Sequence, residues 1–164
     1  ISYLNQLSDT ATALQHAYIQ ENPNPLGEKH KSHRPAAESQ YSYIHERFHN
    51  YFSTYIDKFG YYDLFLVDVN NQNVIYSVFK ETDYATSLKD GPHKDTNFAN
   101  MVKKIVNEYE SNAFKEPEVY FTDFERYGPS YFAPAAFVNR EFWYPSKTTD
   151  RLLLRFVDRL QTLH

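Results

Sequence analysis

The strongest constraint on the fold of this chain is a pair of β-rich runs set either side of an amide-rich turn. Gly60-Tyr61-Tyr62-Asp63-Leu64-Phe65-Leu66-Val67-Asp68 leads to Asn70-Asn71-Gln72-Asn73, and Val74-Ile75-Tyr76-Ser77-Val78-Phe79-Lys80 follows. Asn tolerates the left-handed backbone that tight turns demand, so the two runs predict a hairpin. Side chains alternate along a strand, which puts Leu64 and Leu66 on one face and Phe65 and Val67 on the other. Both faces are apolar, so this strand must be covered on both sides. Val119-Tyr120-Phe121-Thr122-Asp123-Phe124 and the run from Pro129 to Val138 predict two further strands.

Helical spacing fills the intervals between them. Leu4, Leu7, Ala11, Leu14 and Tyr18 recur at 3-4 spacing, which marks a helix over residues 2–20. That narrow seam fits either a coiled-coil contact or one amphipathic helix packed on a sheet. Asn22-Pro23-Asn24-Pro25 breaks the helix. A second helix is predicted from about Ser39 to Lys58, with Tyr41, Ile44, Phe48, Phe52, Tyr55 and Phe59 as its stripe and Gly60 as C-terminal cap. A third runs from about Thr96 to Glu110, capped by Asp95 or Thr96, with Phe98, Met101, Val102, Ile105 and Tyr109 on one side. At the end of the chain, Phe142-Trp143-Tyr144 extends a strand, Pro145 to Asp150 turns, and Leu152 to Val157 returns as a strand. The spacing of Leu153, Phe156, Leu160 and Leu163 also fits a helix.

The 164 residues suit one domain with a core of its own. Net charge is −4 with the charges interspersed, which excludes the basic stripe of a nucleic-acid surface. There is no apolar run of membrane-spanning length. The chain starts at Ile1 without a signal-peptide pattern, as expected of a piece of something longer. The absence of cysteine fits an oxidising compartment, although many cytosolic domains share it. Tyr (15) and Phe (13) far outnumber Trp and Met, a composition that suits walls half apolar and half hydrogen-bonding.

One motif looks catalytic. His45-Glu46-Arg47-Phe48-His49 follows the His-Glu-x-x-His spacing that lets two imidazoles on a helix hold zinc beside a general base. A peptidase also requires a third protein ligand and an open cleft, and only Glu81 or Asp83 is offered for the former. His45 and His49 are carried as metal candidates, with a zinc-binding or zinc-peptidase-like domain as the alternative function.

The stretches "LQHAYIQENPNPLGEKH", "GYYDLFLVD", "VIYSVFKETDYATSL", "GPHKDTNFAN" and "VYFTDFERYGPSYFAPAAFV" together span roughly residues 13–138. In them the chain resembles the Cache-type, PAS-like extracytoplasmic sensor domains of bacterial chemoreceptors, histidine kinases and receptor cyclases. The resemblance implies an α+β domain: a five-stranded antiparallel PAS-like sheet flanked by a long N-terminal helix pair and a further helix. It implies one domain over residues 1–164, helical over 1–59, a sheet core over 60–157 and an exit stalk over 158–164. The implied function is a ligand-binding domain of a chemotaxis or signal-transduction receptor, with no catalytic activity and no cofactor. Its location would be the periplasmic side of an inner-membrane protein, reached through flanking segments, with a homodimer formed through the first helix.

Such a sensor needs a pocket lined from the sheet and its loops. Lys80, at the end of an apolar run, can hold a ligand carboxylate, sit in solvent, or pair with Glu81 or Asp83. Asp123, between Phe121 and Phe124, needs a partner, which is either a ligand ammonium or one of Lys80, Arg126 and a backbone amide. Tyr127, Ser130 and Tyr131 surround Gly128-Pro129 in a tight loop, and Pro134 marks an edge or bulge in the next strand. The resemblance adds Tyr76, Phe79, Asp83 and Tyr84 to Lys80 as pocket or lid residues. Amino acids suit the site if Lys80 and Asp123 both face it, small carboxylates if only Lys80 does.

Overall fold

The computed structural model describes residues 3–111, 119–130, 133–140 and 154–161. Ser8 starts α1 (Asp9–Gln15), its side chain accepting from the Ala11 N–H, and the helix runs on as a π-helical turn, His16–Gln20. Ser39 and Ser42 form a reciprocal cap at the start of α2 (Gln40–Phe59), and Gly60, at φ 72°, closes it. β1 (Asp63–Asp68) and β2 (Val74–Ser77) form the expected antiparallel hairpin, irregular between Leu66 and Val67. The left-handed turn residue is Gln72 rather than an Asn, because Asp68 and Asn71 use their side chains to cap the turn's N–H groups. α3 (Asn97–Glu110) follows, with Thr96 accepting from the Ala99 N–H.

The last part of the chain supplies β3 (Tyr120–Phe121), β4 (Glu125–Tyr127), β5 (Ala133–Arg140) and β6 (Leu154–Gln161). The chain is α+β, but the expected five-stranded PAS-like sheet does not form. Instead the β1–β2 hairpin and the strands paired with β5 (β3 and β4) are joined through β6 into one six-stranded antiparallel sheet. The backbone of β6 lies between β1 and β5, in the order β2-β1-β6-β5-β3 with β4 also on β5. The run expected as one strand over 119–124 is split at Thr122, whose hydroxyl accepts the Phe137 N–H in place of a ladder carbonyl. β6 takes in Asp158 to Gln161, which the sequence suggested as part of the stalk. The proposed extension and turn at 142–150 lie outside the described residues. Pairing of β5 with β6 starts at Ala135, so Pro134 sits at a local edge, as expected of a strand proline.

The long N-terminal helix pair is also corrected. Only α2 is long; α1 has 7 residues and its π-helical continuation 5. The seam of the first helix faces inward, with Ala11 and Tyr18 buried against Tyr84 and Ala85 and Leu7 and Leu14 packed beside them. β1 is covered on both faces, as its sequence demands. Phe65 and Val67 meet α3 through Phe98, Val102 and Ile105, and Leu64 and Leu66 meet α2 through Phe52 and Ile56. The stripe of α2 is rotated from the one expected. Ser42, His45, His49, Phe52 and Ile56 are buried, while Ile44, Phe48 and Phe59 are exposed.

Candidate functional site

The site begins with a carboxylate that the sequence reading passed over. Asp63, at the head of β1, is fully buried. Its Oδ1 accepts from the N–H groups of Leu64 (2.7 Å), Val78 (2.9 Å) and Phe79 (3.1 Å), and its Oδ2 from the Ser77 hydroxyl (2.8 Å). These bonds pull the chain out of β2 at Ser77, three residues before the expected strand end. Lys80 then takes φ 58°, its N–H donating to Ser77 Oγ at 3.0 Å, and Ala85 takes φ 64°. Left-handed backbone at two non-glycine residues in one short buried loop costs on the order of 1 kcal/mol each and is concentrated at functional sites.

That backbone turns the Lys80 side chain into the protein, where it is wholly buried. Its Nζ donates to the carbonyls of Ser77 (2.5 Å) and Val78 (3.3 Å). It lies 4.7 Å from the ring centre of Tyr76, 5.6 Å from Tyr84 and 5.7 Å from Tyr18, a three-sided aromatic cage. The cage is tied together by hydroxyls, Tyr84 donating to Tyr41 Oη (3.0 Å) and Tyr41 to the Ile75 carbonyl (2.8 Å). Gln15 locks the N-terminal helix onto the same loop, its Nε2 donating to the carbonyls of Tyr84 (2.7 Å) and Thr82 (2.9 Å). Tyr18 projects from the π-helical turn, a distortion that occurs frequently at functional sites. Among the described residues its buried hydroxyl has no hydrogen-bond partner, and neither has His45 Nε2, although the two rings lie only 4.6 Å apart.

Burial governs the charges here. It holds Lys80 well below the ordinary lysine range, to about 7, against the pull of Asp63, which favours the ammonium. Burial, with Glu81 nearby, raises Asp63 to about 6, against the hydrogen bonds it accepts. The tyrosines of the cage are all raised by desolvation, Tyr41 to about 12, so none ionises near neutrality.

The His-Glu-x-x-His motif is built into the wall of this cage and cannot act as a metal site as arranged. The His45 and His49 rings stack at 4.5 Å with 22° between planes, so their nitrogens do not converge on one point. His45 Nδ1 meets the His33 carbonyl (2.8 Å) and His49 Nε2 the His30 carbonyl (2.6 Å), so both nitrogens carry the proton and donate. His49 Nδ1 then accepts from the Tyr76 hydroxyl at 2.7 Å. Desolvation, reinforced by Lys80, keeps both rings neutral, His45 at about 2 and His49 at about 3. Glu46 points to solvent and pairs with Arg34 at 3.1 Å. Among the described residues no group of three or more His, Cys, Asp or Glu could hold a metal.

Most of the remaining candidates gather at the other end of the loop. Asp83 is buried and its Oδ2 accepts from Tyr127 Oη at 2.7 Å. Ser130 Oγ donates to Glu81 Oε2 at 2.9 Å, and Tyr62 Oη donates to Glu81 Oε1 at 2.7 Å. Phe79 is half-buried, stacked on Tyr62 at 4.8 Å. Asp123 does not join them. Its side chain is exposed, and its carbonyl accepts from Asn97 Nδ2 at 3.2 Å. The strand that would have buried it ends at Phe121, itself 70% exposed. Tyr131 lies outside the described residues. Tyr18, Tyr41 and Asp63 are the members that sequence reasoning missed. The signals were available: a tyrosine ending an otherwise aliphatic seam, and an acid at the head of a strand buried on both faces.

Comparison with known proteins adds no relative to this picture: no protein-family model matches the chain, and neither a curated protein nor a solved structure does.

Proposed function

We propose that this chain is the small-molecule-binding domain of a transmembrane signalling receptor of the chemotaxis type, located on the extracytoplasmic side and without catalytic activity. The observation that carries the reading is the Lys80–Ala85 loop, strained at both ends and delivering a buried lysine into a tyrosine cage. Buried titratable groups on a strained loop are a costly arrangement for stability alone and a common one for ligand recognition. The resemblance of residues 13–138 to Cache-type sensors supports the same class.

Asp123 is exposed whereas Lys80 is wholly buried, so the two do not face one enclosed anion and cation site. The ligand then follows from the groups left over in the cage. Two of the three Lys80 protons go to carbonyls, leaving one, and the Tyr18 hydroxyl is a second donor. Both suit a carboxylate. His45 Nε2 offers a lone pair to a hydroxyl or amine on the same molecule. The class is therefore a small carboxylic acid bearing a hydroxyl or amino group. Because Gln15 and Tyr18 belong to the N-terminal helical segment, a ligand held there would touch that segment directly, and its affinity would then depend on how the segment is placed, which is the requirement for signalling. The homodimer expected through the first helix would need another surface, since the residue 7–18 seam packs inside the chain.

The test is a thermal-shift panel of 2-hydroxy acids, amino acids, unsubstituted carboxylates and amines. Saturation at about 100 times the dissociation constant adds roughly 2.7 kcal/mol to the stability of the folded state. A shift with a hydroxy or amino acid, lost in both Lys80→Met and Tyr18→Phe, is the expected result. A panel without shifts, or a shift unaltered in both variants, overturns the assignment.

A further inference from the structure

The outward face of α2 carries a second feature that the cage does not use. Tyr43 (51%), Ile44 (54%), Phe48 (44%), Tyr51 (67%) and Phe59 (55%) are all exposed, on a helix whose buried face is lined by histidines. Large apolar side chains clustered on one exposed face mark interaction surfaces, whereas scattered ones carry no such meaning. Between two rows of this face lies a cleft of about 490 Å³. One wall is Arg47, Tyr51, Tyr55 and Phe59, and the other is Asn50, Thr54 and Lys58. Each wall is a row of residues four apart, so the cleft is the groove between two i±4 ridges of one helix. Such grooves are the geometry into which a ridge of a second helix packs.

Charge selects among possible occupants. Among the described residues, Arg47 and Lys58 are the only charged residues lining the groove and none that lines it is acidic; they stand near its two ends, roughly three turns or 16 Å apart. Both cations lie over aromatic rings of the same face, Arg47 at 5.4 Å from Phe48 and Lys58 at 5.9 Å from Phe59. A second copy of α2 would bring Arg47 and Lys58 each against its own equivalent in parallel order, or Arg47 against Lys58 in antiparallel order, and like charges at either place oppose pairing. A lipid surface would press Asn50 and Thr54 against acyl chains without partners, which is unfavourable. A helix with an apolar ridge and carboxylates on either side meets every feature: it fills the groove, reaches both cations and can hydrogen-bond Asn50 and Thr54.

We infer that the outward face of α2 is a docking site for an acidic amphipathic helix of another protein. The site is independent of the cage and stands whether or not the cage binds a ligand. Both cations are exposed on a capped helix, so reversing them leaves the core untouched.

The experiment uses two labelled helical peptides of about 18 residues, long enough to span the groove. Both carry leucine at i, i+4, i+7 and i+11; one has glutamate along the flanks and the other lysine. Fluorescence anisotropy with the chain should show the glutamate peptide binding at least about tenfold more tightly than the lysine peptide. The double variant Arg47→Glu, Lys58→Glu should invert that preference, a gain that misfolding cannot imitate. Equal binding of the two peptides, no binding of either, or a preference that survives charge reversal overturns the proposal. A dimer in sedimentation equilibrium that Tyr51→Ser dissolves would reassign the face to self-association. Co-sedimentation with phosphatidylglycerol vesicles, lost on charge reversal, would reassign it to a membrane.

Discussion

The two faces of the sheet are built on opposite plans. On the α3 side, Phe65, Phe98 and Phe137 meet Val102 and Ile105 in a mainly apolar layer whose polar atoms are the hydrogen-bonded hydroxyls of Tyr120 and Tyr127, with Phe98 and Phe137 stacked at 4.6 Å. On the α2 side, Lys80, Asp63, Ser77, His45 and His49 are buried among Tyr18, Tyr76 and Tyr84. Every buried polar group must find a partner or carry a penalty, and Tyr18 Oη and His45 Nε2 have none among the described residues. The first face is what a chain of this size needs in order to fold. The second gives up stability for a polar interior, a cost that the proposed ligand-binding role would account for.

Large-to-small changes break the comparison most severely on the α3 side. Phe98→Ala, at a wholly buried ring, should cost about 3–5 kcal/mol in urea denaturation. The α2 side should respond in the opposite sense to loss of its charge. Lys80→Met removes a buried ammonium while keeping most of the packing, and should raise stability by about 1–2 kcal/mol at neutral pH while removing the ligand response. A loss of stability comparable to Phe98→Ala would show that Lys80 is a structural strut.

pH sharpens the same contrast. The folded chain holds Lys80 at about 7, well below the value of the unfolded lysine, so unfolding takes up a proton between the two. The penalty is full below about 7 and fades as pH rises towards the ordinary lysine range. Wild type should therefore gain on Lys80→Met across that interval, by at most about 1.4 kcal/mol per pH unit. Asp63, raised to about 6, gives the reverse trend, with stability gained as pH falls from there towards the ordinary carboxylate range. Stability curves of wild type and Lys80→Met that stay parallel from neutral to alkaline pH would show that Lys80 keeps its proton.

The smallest effects separate the two faces of α2. Ile56→Ala should cost about 2–5 kcal/mol, whereas Ile44→Ala, at an exposed residue, should stay within about 0.5 kcal/mol of wild type. Equal losses would return Ile44 to the core.

How far this was legible in the sequence differs by element. The hairpin and α3 were legible: a short, continuous apolar run at Leu64–Val67 closed by an amide-rich turn marks a strand buried on both faces, and 3-4 spacing at Phe98–Ile105 marks a helix. The rotation of α2 was hidden because hydrophobicity argues that Ile44 and Phe48 should be inside. Tertiary partners reversed it: the carbonyls of His30 and His33 and the hydroxyl of Tyr76 give His45 and His49 hydrogen bonds that only a polar interior supplies. The split of the strand at Thr122 turns on one side-chain hydrogen bond, which no periodicity encodes. For the site, Lys80, Asp83, Tyr84, Tyr76, Tyr127 and Ser130 do gather around one loop, while Asp123 stays outside it because its strand stops two residues earlier. The backbone reversal that carries Lys80 inward depends on Asp63, seventeen residues upstream, and long-range anchors of this kind leave no local signature.

The central claim is that the polar face is kept for a ligand at the expense of stability. Parallel melting of wild type and Lys80→Met at neutral pH, each with and without the hydroxy- and amino-acid panel, tests it most directly. The account predicts that the variant melts higher without ligand and no longer shifts with any compound that shifts wild type. A variant that melts lower and still responds to those compounds would contradict it.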